Sequence, residues 1–251
     1  MNRAAGSIPA CGGVATPAMK MIRRRDECLC GSRKPFNACC GDLSAERSVP
    51  HGIMVADQAA PEQQLRALLD GIESQPCVAH DSNPAHAHAS EAAAGWVQRA
   101  VRRIELDAAR QELANEVMRD ILREVVEPQC GNAIGHYEAP ALLLYPAGGG
   151  YGAHADSELF NPDTGFWERN TSRDHSVVLF LNHNPSGGYH FPNFKYTVEP
   201  VRGRVLAFPP DQRYVNTVDT VQQGACFVLV SWVRWQLAGQ PRLAVAPPQY
   251  R

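Results

Sequence analysis

Four cysteines fall within thirteen positions of this 251-residue chain: Cys28-x-Cys30, then eight residues, then Cys39-Cys40. Two short cysteine pairs joined by a loop can wrap four thiolates around one Zn(II), which favours a tetrahedron of soft ligands. Gly31 permits the turn after the first pair. A peptide this short cannot bury a core, so the metal would supply its folding energy. Further along, His154-x-Asp156 places an imidazole and a carboxylate at positions i and i+2. On extended chain these point the same way and can reach one metal ion. Four glycines precede the pair in "YPAGGGYGAHAD" and let the chain turn sharply there. A lone His-x-Asp is as readily a solvent-exposed turn, so the surroundings must decide.

Both stretches resemble known families. "CLCGSRKPFNACCG" (28–41) is similar to the SEC-C zinc motif, whose knuckle is a docking module; Arg33 and Lys34 suit that role. The region 137–235 looks like the prolyl-4-hydroxylase-type branch of the Fe(II)/2-oxoglutarate dioxygenases. The matching features, in order, are Tyr145 and the glycine approach to His154-x-Asp156, the "LFLN" strand, Gly187-Gly188, "EPVRGRVLAFPP" and "LVSW". That resemblance implies a double-stranded β-helix holding Fe(II) by two His and one carboxylate, with three positions left for 2-oxoglutarate and O₂.

The same resemblance exposes two departures. The family's second His falls on Asn216, and its Arg or Lys for the distal carboxylate of 2-oxoglutarate falls on Cys226. An amide oxygen ligates iron more weakly than imidazole, and a thiol cannot form a charge-assisted pair with a carboxylate. Three readings stay open. Asn216 serves as a weak third ligand; or His190, after Gly187-Gly188, replaces it; or the site is degenerate. The ordinary reading of His190 is a hydrogen-bonded core residue. Arg173, Lys195, Arg204 and Arg213 are candidate replacement cations. Tyr145 and Tyr151 flank the site in relatives, and Tyr145 could hydrogen-bond a carboxylate. Trp232 and Trp235 are expected to pack the core.

The elements that must position these residues follow from pattern. Residues 1–25 read as a disordered tail, 26–42 as the zinc knuckle and 43–60 as a linker. The support region, 61–134, is helical. "PEQQLRALLDGI" carries Leu65, Leu68 and Leu69 on one face. A second helix is expected from Ser90, with Trp96, Ala100, Val101 and Ile104 on one face. A third carries Leu113, Val117, Ile121 and Val125 and stops at Pro128. The loop "AHDSNPAHAHAS" between the first two holds His86 and His88, read as solvated. Strands are expected at 139–145, 176–182, 194–200, 203–208 and 226–233, within a barrel spanning 135–240 and a tail at 241–251. The fold class is therefore α+β, a jelly-roll core with packed N-terminal helices plus a small zinc knuckle.

Composition sets outer bounds. Net charge is −2, no apolar run approaches a membrane span, and no compact apolar segment follows the early Arg3. Nucleic-acid and membrane partners are not expected. Clustered rather than spread cysteines point to a reducing, cytoplasmic setting. The function expected is an Fe(II)- and 2-oxoglutarate-dependent hydroxylase, acting on a peptide or protein side chain or a small metabolite and engaging a macromolecule through the knuckle. The alternative is a non-catalytic adaptor that keeps the barrel for binding.

Overall fold

The computed structural model describes residues 23–28, 33–39, 49–80, 100–161 and 163–249. In chain order its elements are β1 (Met54–Ala56), α1 (Glu62–Leu69), β2 (Cys77–Ala79), β3 (Arg102–Ile104) and α2 (Ala108–Ile121), then a π turn (Leu122–Val126) and α3 (Glu127–Cys130). The strands that follow are β4 (Ile134–Glu138), β5 (Ala141–Pro146), β6 (Tyr151–His154), β7 (Glu158–Asn161), β8 (Phe166–Arg169), β9 (His175–Phe180), β10 (Tyr189–Phe191), β11 (Tyr196–Val198), β12 (Val205–Phe208), β13 (Asn216–Val218), β14 (Ala225–Trp235) and β15 (Ala244–Ala246).

Among the described residues these strands form three sheets. The large one runs β1-β12-β9-β14-β5-β3-β2, with β4 beside the far end of β14 and β15 beside β4. The small one runs β11-β10-β13-β6, and β7 and β8 make a separate hairpin. The period of two along each central strand explains the layering. Val178 and Phe180 of β9 join an inter-sheet core with Tyr145, Tyr189, Phe191, Phe208 and Val228. Val177 and Leu179 face the other way, into a second core with Leu65, Met118, Ile121 and Leu122 of the helices. All six residues of β9 are buried, as "SVVLF" predicts for a strand covered on both faces. The result is helices, large sheet and small sheet, an antiparallel jelly-roll arrangement with helices on one side.

Several expectations change. Pro128 does not stop the helix. The chain widens into a π turn at Leu122–Val126, and helix resumes at Glu127, with Pro128 in its first turn and left-handed Gly131 (φ 68°) as the terminator. A proline lacks the N–H that the interior needs, and a π turn is one way to absorb that. The first part of the helix expected from Ser90 lies outside the described residues, and its last part, Arg102–Ile104, is strand. Arg102–Ile104 pairs with Leu142–Leu144 of β5. Val101 then enters the inter-sheet core and Ile104 the helix-facing one, opposite faces that a shared helical stripe would not give. The stretch read as a linker, 43–60, includes β1, which pairs with β12 and extends the large sheet. The C-terminal tail includes β15, parallel to β4.

One buried titratable group in the helix-facing layer sets a pH dependence. His175 packs against Trp235 with ring centroids 5.3 Å apart, and its Nε2 lies 3.9 Å from Cys130 Sγ. Burial pushes its imidazole down from 6.5 to about 4. Between those values the unfolded chain takes up a proton that the native chain refuses. Stability therefore falls as pH drops from 6.5 towards 4, by up to about 3 kcal/mol, and this group adds nothing further below that. Thermal melts of His175→Leu from pH 8 to 4 should show a shallower acid slope than wild type; parallel slopes would contradict the assignment.

Candidate metal centre

The approach to the site is glycine because backbone presses on backbone. A Cβ on Gly149 would lie 2.4 Å from the Ala100 carbonyl oxygen, and one on Gly150 would lie 2.8 Å from that of Val218. Gly149 is locked by two bonds: its N–H donates to Pro146 O, and its carbonyl accepts from Val221 N–H. That contact sets β6 beside β13 with His154 opposite Asn216. A register irregularity follows between Asn216 and Val218. Bulges of this kind re-aim side chains next to active sites. Inward parity is shared by Tyr189 and Phe191 on β10 and by Val218 and Asn216 on β13.

His154, Asp156 and Asn216 line one cavity between the sheets, together with Tyr145, Tyr151 and Tyr189. Nδ1 of His154 lies 2.9 Å from the Gly152 carbonyl oxygen, which only accepts, so Nδ1 carries the proton. Nε2 then faces Asp156 Oδ1 at 3.0 Å. A lone pair and a carboxylate oxygen at that distance repel unless a second ring proton or a metal ion lies between them. The other carboxylate oxygen is spoken for. Oδ2 accepts from Ser176 Oγ at 2.5 Å and from Trp232 Nε1 at 2.9 Å. Burial alone would raise the Asp156 carboxyl, but His154, Ser176 and Trp232 outweigh it and hold it well below the usual carboxylate range.

Asn216 is 1% exposed. Its Nδ2 donates weakly to Tyr214 O at 3.4 Å, and its Oδ1 has no partner. Buried acceptors are rarely left so, and an unpaired one suggests a missing ion or water. Among the described residues no three His, Cys, Asp or Glu side chains are grouped to hold a metal. The third donor here would be an amide oxygen. His154 Nε2, Asp156 Oδ1 and Asn216 Oδ1 thus fit a divalent cation in donor type, and Gly152, Ser176 and Trp232 act as the supports that orient such ligands.

The remaining sequence expectations divide. Arg173 lies in the cavity wall, stacked over the Trp232 ring at 3.7 Å. Its Nε and Nη2 bond the two oxygens of Glu138 at 2.6 and 2.8 Å, and Nη1 donates to the Asp156 carbonyl at 3.1 Å. Both side chains of this pair are under 5% exposed. Arg204 pairs with Asp57 and Arg213 with Asp211; neither lines the cavity, nor does Lys195. His190 is corrected as a substitute ligand. It sits opposite Thr217, outward between inward Tyr189 and Phe191, and its Nδ1 lies 2.8 Å from Thr197 Oγ1. Tyr145 lines the cavity and shares a hydrogen bond with Tyr189; burial raises both phenols. Cys226 is fully buried on the inward face of β14, opposite Tyr145, but is not part of the cavity wall. Burial pushes its thiol up to about 12, so it is a neutral packing group.

Of the expected zinc ligands, Cys28 and Cys39 are described, while Cys30 and Cys40 lie outside the described residues, as do His86 and His88. Cys28 N–H donates to Lys34 O, Glu27 bridges Pro35, and Cys39 N–H donates to Phe36 O. Cys28 and Phe36 join the inter-sheet hydrophobic cluster.

Sequence reasoning did not single out Glu138, Ser176 or Tyr189, and it assigned Trp232 to packing alone. A signal existed for Ser176. It is the polar member of an apolar strand and shares parity with inward Val178 and Phe180.

No family model matches this sequence, and neither does any curated protein. Solved structures do. The viral collagen prolyl hydroxylase of Paramecium bursaria Chlorella virus-1, in its 2-oxoglutarate complex, superposes with a TM-score of 0.52 at 13% identity, covering 73% of this chain and 96% of that one. A prolyl hydroxylase from Trichoplax adhaerens, bound to a hypoxia inducible factor oxygen degradation domain peptide, gives 0.53 at 16% identity, covering 78% and 87%. The chain therefore shares the jelly-roll fold of these prolyl hydroxylases; at these identities the likeness is one of fold.

The Arg173–Glu138 pair makes a direct prediction. Glu138→Ala leaves a buried guanidinium without its carboxylate and should destabilise by about 3–5 kcal/mol. Urea unfolding measures it. A loss below about 1 kcal/mol would mean that the pair is not buried as described.

Proposed function

We propose that this protein is a metal- and 2-oxo-acid-dependent oxygenase, with Fe(II) at His154, Asp156 and Asn216. One observation carries the reading. Nε2 of His154 and Oδ1 of Asp156 meet at 3.0 Å, in the same cavity as a buried Asn216 oxygen with no hydrogen-bond partner. Bound Fe(II) would supply the O₂-activating chemistry that hydroxylates a C–H bond. The chain's own residues do the positioning. Gly152 fixes the His154 tautomer. Ser176 and Trp232 cap Asp156 Oδ2 and leave Oδ1 for the metal. Arg173 anchors the Asp156 carbonyl and the Trp232 ring together, with Glu138 balancing its charge. The inter-sheet cavity limits water around the centre.

The same proposal includes a second metal. Cys28, Cys30, Cys39 and Cys40 hold Zn(II), and the knuckle docks a macromolecular substrate or partner in a reducing, cytoplasmic compartment. The substrate is a peptide or protein side chain or a small metabolite. A non-catalytic adaptor is the second reading, and neutral Cys226 in place of a cation is what favours it.

Calorimetric titration with Mn(II), a stand-in for Fe(II) that survives air, tests the centre. Wild type should bind one equivalent. Asn216→His should tighten binding and Trp232→Phe should weaken it, each by about 10–100-fold. Equal affinity in wild type, Asn216→Ala and Asn216→His would rule Asn216 out as a ligand. For the knuckle, wild type should carry one additional Zn(II) per chain. Replacing Cys39 and Cys40 by Ser should remove it and unfold only residues near 26–42; full zinc occupancy in that variant would end the assignment.

A further inference from the structure

The polar inventory of the cavity bears on which 2-oxo acid it accepts. Arg173 is the only Lys or Arg among the described residues lining it, and both edges of its guanidinium are engaged. It cancels Glu138 and has no second bidentate face left for a ligand. Tyr145 and Tyr189, which hydrogen-bond each other, also line the wall, and neutral Cys226 lies opposite Tyr145 in the strand pairing. The open volume is about 40 Å³. At about 10–15 Å³ per water, that is room for about three waters.

Charge then discriminates between ligands. Among the described residues of the wall Asp156 is the one carboxylate and faces His154, His80 adds a second imidazole, and Arg173 is cancelled by Glu138 behind it. A divalent metal turns that single negative charge into a single positive one. A 2-oxo monocarboxylate, chelating through its carboxylate and oxo oxygens, brings the centre to neutrality. A dicarboxylate adds a second negative charge. Buried charge without a partner is costly, and among the described residues of the wall no Lys or Arg is left to offer one.

Resting on the oxygenase reading above, we infer that the cavity takes a short 2-oxo monocarboxylate of the pyruvate class in preference to a 2-oxo dicarboxylate. The discriminating residues are Tyr145, Tyr189 and Cys226. The two tyrosines line the pocket, and Cys226, paired with Tyr145 across the strands, brings no cation to it.

Anaerobic titration of the full-length protein tests this. Loaded with Fe(II), it is titrated separately with pyruvate and with 2-oxoglutarate, following the charge-transfer absorption of the chelated metal. Pyruvate should half-saturate the band at a concentration lower by about ten-fold or more. Cys226→Arg, checked for folding by its melting curve, should move the preference towards 2-oxoglutarate by a comparable factor. The inference is overturned if 2-oxoglutarate binds as tightly as pyruvate, if metal binds but neither acid gives a band, or if a folded Cys226→Arg leaves the preference unchanged. Should Cys226→Arg fail to fold, the wild-type comparison alone decides. Failure of Mn(II) and Fe(II) to bind at all would overturn the oxygenase reading as well, which separates the two claims.

Discussion

A carboxylate buried between two sheets must be compensated, and the site is organised around how Asp156 meets that demand. Two donors, Ser176 and Trp232, hold one of its oxygens, and His154 faces the other. Each donor comes from a different strand of the large sheet, β9 and β14, while Asp156 follows β6 of the small one. The carboxylate is therefore a tie between layers as well as a proposed ligand. Arg173 reinforces it from behind by binding the Asp156 carbonyl and covering Trp232, and Glu138 keeps that buried cation neutral. Removing any of these groups would leave a polar atom unpaired in low dielectric, which costs more than the bond itself is worth.

The two departures from the dioxygenase pattern have different consequences. Asn216 keeps an oxygen donor where the resemblance implies a metal ligand, on a strand whose register with β6 is set by the glycine approach. It changes donor strength while preserving position. Cys226 puts a buried neutral thiol where the resemblance implies a cation. Under the proposed reading the first change leaves the metal a donor, and the second changes which acid the centre would accept.

Much of this was legible in the sequence, for identifiable reasons. The central strands β5, β9, β12 and β14 are long apolar runs, and burial on both faces leaves that trace. His154, Asp156 and Asn216 were marked by spacing and by resemblance. What escaped was short or depended on distant pairing. β1, β3 and β15 are three-residue strands whose existence rests on partners far away in the chain, namely β12, β5 and β4. The π turn before Pro128 is a local accommodation that a proline at that position does not specify. Glu138 and Arg173 are 35 positions apart, and nothing in the linear pattern pairs them. His190 stayed open as an alternative ligand because a glycine pair beside a histidine says nothing of strand parity; its neighbours Tyr189 and Phe191 had to be placed inward first.

The central claim is that His154, Asp156 and Asn216 share one metal ion. A crystal structure of the protein grown anaerobically with Fe(II) or Mn(II), with anomalous diffraction recorded at the metal edge, tests it most directly. The account predicts one anomalous peak between the sheets, bonded to His154 Nε2, Asp156 Oδ1 and Asn216 Oδ1, with Ser176 and Trp232 still on Asp156 Oδ2. No peak there, with His154 and Asp156 still in direct contact and the Asn216 oxygen occupied by water, would contradict it.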